Sequence, residues 1–288
     1  MIPRPYTCLN GRFVLHDRAA IPAADRGFRF GDGAFETLKV NRGVPYLWEF
    51  HLARLLDALN VLRITIPMYD LAALVRQQLK KNVQKSGYLR ISISRGVGSR
   101  GYRPHPKHAV PTLVIESLED MPAPKAPYTL WLSKWVKPSL SSLPVNLKLA
   151  HGINSTLAIL EADDHEAEEA LLLTANGEIC EGASSNIFWL KEDVLYTPSL
   201  DTGCLRGSTR DALIRLSPIP IKTVQVGIST LEDAEAVWIT NGRLGIHPIV
   251  AIEPAGYRYD MHMMTKKLQQ LLADDTQRYA KLHREEWA

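Results

Sequence analysis

Leu118-Glu-Asp-Met-Pro-Ala-Pro-Lys-Ala-Pro127 divides this chain into two differently built halves. Its three prolines fix the backbone and remove hydrogen-bond donors, so neither a helix nor a central strand runs through it. It therefore reads as an interdomain linker over 118–127. Residues 1–117 form a small N-terminal domain and 128–288 a larger C-terminal one.

Upstream of the linker, helices and strands mix. YTCLNGRFVL reads as a hairpin turning at Asn10-Gly11. A glycine-rich stretch, DRGFRFGDGAFET (25–37), runs into a strand through Leu38-Lys39-Val40. Residues 47–62 carry helical periodicity through Leu47, Phe50, Leu55, Leu59 and Leu62. A second helix is expected over 70–86, capped by Asp70 and stopped by Gly87. YLRISISR (88–95) alternates as a half-buried strand does, and TLVIES (112–117) is another strand. Downstream, strands dominate: 128–136, a hairpin EALLLT/EICEGASSNIFWLK around Asn176-Gly177, VLYTP, IKTVQV and EAVWIT (235–240). Between them stand a helix over 154–168, opened by Asn154 or Ser155, and a helix from Ser208, whose spacing to Asp211 matches a capping box. A short helical turn covers STLEDA, and an amphipathic helix over about 260–283 closes the chain. The expected class is α+β in two domains.

Bulk properties exclude several functions. A net charge of +3 over 288 residues is too weak to argue for nucleic acid or a membrane surface. The cysteines, Cys8, Cys180 and Cys204, lack metal-type spacing, so free thiols in a reducing, cytoplasmic setting are expected. The N-terminus lacks a basic start followed by an apolar run, so no signal peptide is expected, and no apolar run reaches membrane-spanning length. His105 and His108 lack further ligands nearby, so no metal site is expected. No Gly-x-Ser-x-Gly elbow and no phosphate-binding Walker loop is present.

Several residues can carry chemistry. Lys148 lies in the mostly apolar or small stretch PVNLKLAHGINST; a desolvated lysine has a lowered pKa and a nucleophilic amine, whereas a loop lysine simply reaches solvent. Glu181, at a strand end before Gly182-Ala-Ser-Ser-Asn186, is either turn chemistry or a partner for a protonated ring nitrogen. The Gly207-Ser208-Thr209 helix start offers backbone donors to a phosphate. Asn241-Gly242 and Arg54 are further phosphate candidates. An arginine on the glycine-rich loop Arg95–Tyr102 suits a substrate carboxylate.

These pieces occur in a recognisable order. DRGFRFGDGAFETLKV, HLARLLDAL, ISRGVGSRGY, LKLAHGINSTLAILEA, EGASSNIFWL, LRGSTRDAL and ITNGRLGIHPI together resemble the class IV, or fold type IV, pyridoxal 5'-phosphate (PLP) enzymes. These are the branched-chain and D-amino-acid aminotransferases and aminodeoxychorismate lyase. The resemblance implies a small N-terminal α/β sandwich, a larger barrel-like C-terminal domain and a homodimer. It implies that Lys148 is the Schiff-base lysine and proton shuttle, and that Glu181 partners the pyridine nitrogen. Arg54, Ser208, Thr209, Asn241 and Gly242 match the phosphate cup, Leu205 the ring-face residue, and Ser184 a residue ordering the cofactor. Phe35, Arg100 and Tyr102 match substrate positions; Phe35 replaces a tyrosine and Tyr102 a histidine of the D-amino-acid enzymes. The leading expectation is transamination between an amino acid and a 2-keto acid. The runner-up is aminodeoxychorismate lyase, and a non-catalytic PLP-binding protein is the reading of a different class. Retention of both Lys148 and Glu181 speaks against mere binding.

Overall fold

Asn10 and Gly11 both take positive φ, 50° and 78°, as a two-residue mirror-type turn requires. They join β1 (Pro3–Leu9) to β2 (Arg12–Leu15). The computed structural model describes residues 3–66, 69–98, 101–104 and 110–288. The chain forms two units. One contains Met1–Pro122, Leu147–His151 and Thr276–Ala288, the other Ala123–Asn146 and Gly152–Asp275. This differs from a single cut at 118–127, because two distant segments return to the first unit.

In the first unit, α1 (Arg26–Phe30) precedes β3 (Gly33–Asn41), β4 (Val44–Pro45), α2 (Trp48–Leu62), α3 (Leu71–Lys81), β5 (Ser86–Ser94) and β6 (Thr112–Leu118). The strands form one sheet in the order β2-β1-β6-β5-β3-β4. Strict alternation puts Ala34, Glu36, Leu38 and Val40 on its buried face, with Leu89, Ile91 and Ile93 beside them. Leu55, Leu59 and Val75 from the helices pack into the same core. Asp70 caps α3, its carboxylate accepting from Ala73 N at 2.9 Å. That helix stops at Lys81 rather than at Gly87. Asn82 turns its amide to Tyr6 O at 2.9 Å, and Val83 follows at positive φ, 75% exposed. Gly87 instead lies within β5 at φ 108°, where a Cβ would sit 2.3 Å from Leu118 O.

Leu147–His151 belongs to this unit through main-chain pairing. Phe35 N donates to Lys148 O at 3.1 Å and Ala150 N to Gly33 O at 2.9 Å. The segment thus adds a short antiparallel bridge at the start of β3, centred on Ala34 and Leu149.

The second unit contains β7 (Tyr128–Leu132), α4 (Ile153–Asp164), β8 (Glu169–Leu173), β9 (Ile179–Gly182), β10 (Asn186–Lys191), β11 (Val194–Pro198), α5 (Ser208–Leu216), β12 (Ile221–Val224), β13 (Ala236–Asn241), β14 (Gly245–Glu253) and β15 (Tyr257–Arg258). Helix α6 (Met264–Leu282) belongs to it as far as Asp275. Its strands form a curled half-barrel sheet, ordered β12-β11-β10-β13-β14-β7-β8-β9, with β15 on β14. One face buries Leu130, Leu171, Ile187, Trp189 and Ile239. The other buries Phe188, Leu190, Trp238 and Leu268 beneath α5 and α6. The expected continuous strand from Glu178 to Lys191 is broken at Ala183-Ser184-Ser185. Helix α4 begins at Ile153 with Gly152 at its cap, not Asn154 or Ser155. Among the described residues, no helix is long and apolar enough to cross a membrane.

Candidate active site

The first unit carries one set of chemical groups. Lys148 is half-buried, and its Nζ lies over the Phe35 ring, 4.7 Å from the centroid. The bridge to β3 fixes this placement, because it hydrogen-bonds the backbone of Lys148 to that of Phe35 itself. Arg90, on the neighbouring β5, places its Cζ 4.1 Å from the same centroid.

On the opposite, buried face of β3, Glu36 binds Arg54 through two bonds of 2.6 Å, from Nε and from the second terminal nitrogen. His51 Nδ1 lies 2.6 Å from the same carboxylate. Burial alone would raise the Glu36 pKa, but the bonds from Arg54 and His51 outweigh it and hold it at about 2. Burial lowers the pKa of His51 against the pull of the Glu36 carboxylate, and its Nδ1 donates to that carboxylate, which can only accept. Arg54, expected at a phosphate, is therefore held in a defined orientation by an acid three positions into β3.

The glycine-rich loop is anchored by a second ion-pair cluster. Arg26, 3% exposed, bonds Asp32 at 2.7 Å and the carbonyls of Gly101 and Tyr102 at 2.8 and 3.0 Å. Arg95 also binds Asp32, at 2.7 and 2.9 Å. Burial would raise Asp32, yet the two arginines keep it below its ordinary value. Tyr102 is 86% exposed and its ring meets Phe30 at 5.5 Å. Arg100, and likewise His105 and His108, lie outside the described residues.

The second unit carries the other set. Glu181 is buried at the end of β9. One carboxylate oxygen accepts from Lys137 Nζ. The other accepts from Leu205 N at 2.8 Å and from Asn186 Nδ2 at 3.3 Å. Asn186 also donates to Leu205 O at 2.8 Å, tying the acid to the segment that enters α5. A Cβ on Gly207 would fall 2.1 Å from Asn186 Oδ1, so only glycine fits this approach. Gly207 caps α5 without any side-chain bond. The capping box expected of Ser208 and Asp211 does not form: Ser208 is already the first helical residue, and Asp211 accepts from Arg206 Nε at 2.8 Å. Thr209 is buried and Ser208 half-buried.

Ser184 donates to Glu169 at 2.6 Å, and its carbonyl accepts from Asn241 Nδ2 at 3.2 Å. The Asn241 Oδ1 accepts from Arg243 N and Leu244 N at 2.9 and 2.7 Å, shaping the turn that holds Gly242. The adjacent Thr240 hydroxyl is buried without a hydrogen-bond partner among the described residues. Cys180 and Cys204 are free and buried. Burial pushes the Cys180 thiol up strongly and Cys204 to about 11, so both are inert neutral thiols.

The model of the family described as amino-transferase class IV matches residues 33–252. The chain belongs to the class IV aminotransferases. It is 32% identical over 273 residues to an aminodeoxychorismate lyase of Bacillus subtilis, covering 91% of this chain and 92% of that one. It is 31% identical over 255 residues to a putative branched-chain-amino-acid aminotransferase of Methanocaldococcus jannaschii, covering 85% and 87%. The fold matches a branched-chain aminotransferase of the archaeon Thermoproteus uzoniensis solved with norvaline. The TM-score is 0.87 at 22% identity, covering 96% of this chain and 98% of that one.

Class IV aminotransferases are PLP-dependent, and the groups present suit that cofactor. The start of α5 has Gly207 at its cap and no side-chain capping bond among the described residues, and a positive helix end of this kind suits a phosphate. The buried, backbone-clamped carboxylate of Glu181 suits a protonated ring nitrogen. Sequence reasoning about this class IV chain missed Glu36, His51, Arg90, Lys137 and Glu169. Only the alternation of β3 and the helical spacing of His51 and Arg54 carried a signal for any of them.

Proposed function

We propose that the chain is a PLP-dependent transaminase that exchanges an amino group between an amino acid and a 2-keto acid. The observation that carries this reading is the Lys148 amine held over Phe35 by main-chain bonds to β3. Bound PLP supplies an electron sink for charge leaving the substrate Cα. Lys148 would hold the cofactor covalently, and its Nζ would carry a proton to and from the substrate Cα. Glu181, kept in place by Leu205 N and Asn186, would partner the ring nitrogen. Ser208, Thr209, Asn241, Gly242 and Arg54 bind the phosphate, with Glu36 orienting Arg54. Leu205 packs on the ring and Ser184 orders its surroundings. Phe35, Arg100 and Tyr102 border the substrate.

The relationship to the Bacillus subtilis enzyme favours a second reading, aminodeoxychorismate lyase, in which the cofactor residues proposed above keep the same roles. We further propose a homodimer, supported by the exposed Phe28 and Tyr102 at 80% and 86%, and a cytoplasmic setting, supported by three buried free thiols.

The test is direct. Purified protein is expected to carry a visible cofactor band that Lys148→Ala loses. A panel of D- and L-amino acids with 2-oxoglutarate is expected to yield keto acids. Formation of 4-aminobenzoate from aminodeoxychorismate, without keto-acid exchange, overturns transamination in favour of the lyase. A band unchanged by every donor and by aminodeoxychorismate overturns both.

A further inference from the structure

Lys137 turns inward from a segment that otherwise faces water. Lys134, Trp135, Val136 and Ser139 around it are exposed, whereas the Lys137 side chain is 13% exposed and the Glu181 side chain it pairs with 7%. Its backbone is anchored as well, by a bond from Lys137 N to Leu173 O at 2.8 Å. An ammonium leaves water only at a cost that a carboxylate must offset. Among the described residues, Glu181 is the one carboxylate in an ion pair with Lys137, and Lys137 the one cation in an ion pair with Glu181. Cys180 and Cys204 beside the pair are neutral thiols. Arg210, buried on α5, is turned to Pro198 O at 3.0 Å and to Asp211 at 3.7 Å.

The bonds to Glu181 decide where a further donor can go. A carboxylate offers about four acceptor sites, two on each oxygen. Glu181 Oε2 accepts from Leu205 N and Asn186 Nδ2, at 2.8 and 3.3 Å, and is filled. Oε1 accepts from Lys137 alone among the described residues, so the remaining site is on the oxygen that the ammonium already holds. A protonated ring nitrogen brought to Glu181 shares that oxygen with a second cation, and like charges on one acid lower each other's hold on a proton. Lys137 enters such a site charged: burial opposes its ammonium, but Glu181 outweighs burial and raises its pKa.

We propose that Lys137 is a positioning residue that acts on the cofactor through Glu181: by offsetting the charge of that acid at Oε1, it makes the ring nitrogen hold its proton less tightly than beside an unpaired carboxylate. The proposal rests on Glu181 being the partner of the ring nitrogen. The ring draws charge from the substrate in proportion as its nitrogen keeps that proton, so Lys137 sets the strength of the electron sink. The alternative is that Lys137 only keeps a buried acid in place. The two roles predict shifts of opposite sign. If Lys137 offsets the acid, its removal leaves Glu181 fixed by Leu205 N and Asn186, and the ring holds its proton more tightly. If Lys137 only holds the acid in place, its removal displaces Glu181, and the ring holds its proton less tightly.

The experiment compares the wild-type holoenzyme with Lys137→Met, Lys137→Arg and Glu181→Gln, each loaded with PLP isotopically labelled at the ring nitrogen. NMR of the label follows the pH at which the ring loses its proton. The pH at which the visible cofactor band changes is a second reading of the same local charge and serves where the ring stays protonated throughout. Lys137→Met is expected to raise these midpoints by roughly one pH unit, the low end of what a neighbouring charge does. Lys137→Arg keeps the charge and should stay close to wild type. Glu181→Gln should lower the midpoints. If Lys137→Met lowers them or leaves both unchanged while Glu181→Gln lowers them, the proposal is overturned and Lys137 is a support for the acid. If Glu181→Gln changes neither, Glu181 does not partner the ring nitrogen, and the reading on which the proposal rests fails first. A wild-type protein that takes up no PLP overturns both. Thermal melts and cofactor absorbance of each variant report whether it folds and loads; a Lys137→Met protein that folds but no longer loads, while Lys137→Arg does, also assigns Lys137 to support of the site and overturns the proposal.

Discussion

Two buried acids, Glu36 in the first unit and Glu181 in the second, meet their cations in different ways. Glu36 is gripped by a guanidinium fork and by the His51 ring, so its oxygens are committed to holding Arg54 still. Glu181 meets a single ammonium, Lys137, and its other oxygen is set by a backbone N–H and an amide. A guanidinium locks direction, whereas an ammonium is a point charge on a flexible stem. The first arrangement is a closed unit that orients one side chain. The second fixes an acid in space by neutral groups while leaving its charge balanced by a group that can move. That contrast matches the roles proposed for them: Glu36 positions another residue, and Glu181 itself meets the cofactor.

The largest effect is expected from opening the closed unit. Glu36→Gln removes the counter-charge of Arg54, which is 7% exposed, and is expected to cost about 3–5 kcal/mol, as stranding one member of a buried pair does. Urea unfolding measures it. The pH dependence sharpens the point. Because the folded Glu36 titrates at about 2 and an unfolded glutamate near ~4.3, its contribution is complete above that unfolded value. It is lost as pH falls toward the folded one. The variant should lack that acid-side decline; an unchanged decline would mean Glu36 is not the titrating group.

A smaller effect is expected on the other side of the comparison. Lys137→Met leaves Glu181 its bonds from Leu205 and Asn186, so the loss should be about 1–3 kcal/mol, the cost of one unmade charged bond. Burial opposes the Lys137 charge, but Glu181 more than offsets it and raises the lysine pKa. Stability from this pair is therefore present below the unfolded lysine value of about 10.4 and declines as pH rises through the folded one. Melting curves between neutral and alkaline pH should converge for wild type and variant. A loss as large as that of Glu36→Gln would erase the distinction drawn between the two acids.

The sequence made some of this legible and hid the rest for identifiable reasons. The Asn10-Gly11 turn and the Asp70 cap are local chemistry, and both stand as read. The end of α3 was not local: Gln78 and Asn82 both reach Tyr6 O, at 2.6 and 2.9 Å, a partner more than seventy positions away. On α2, the apolar spacing marked the buried stripe, but His51 and Arg54 share it because Glu36 awaits them on β3. Strand β14 carries Pro248 at its centre, which argues against a strand; the structure accommodates it because β7 pairs with β14 only from Ile249 onward. Lys148 stood out by family resemblance, whereas its bridge to β3 left no periodic trace in five residues.

A third buried acid extends the comparison to a case with no cation paired to it among the described residues, and there the smallest effect is expected. Glu169, 2% exposed, accepts from Ser184 and Ser185 hydroxyls at 2.6 and 3.3 Å and from Ala170 N at 3.1 Å. Burial raises its pKa beyond what these bonds recover. The folded state therefore binds a proton more readily than the unfolded one, so stability from this site is greatest below about 4.3 and falls as pH rises through the folded value. Glu169→Gln supplies a neutral group of the same shape. Its carbonyl can accept from Ala170 while its amide donates to the serine oxygens, which rotate to suit. The substitution should change stability by less than about 1 kcal/mol and flatten the pH dependence above the unfolded glutamate value. Glu169→Ala, which strands both hydroxyls, should cost more. If Glu169→Gln instead destabilises as much as Glu36→Gln, the carboxyl at 169 is ionised in the folded protein, and a charge other than Lys137 or Arg54 must be balancing it.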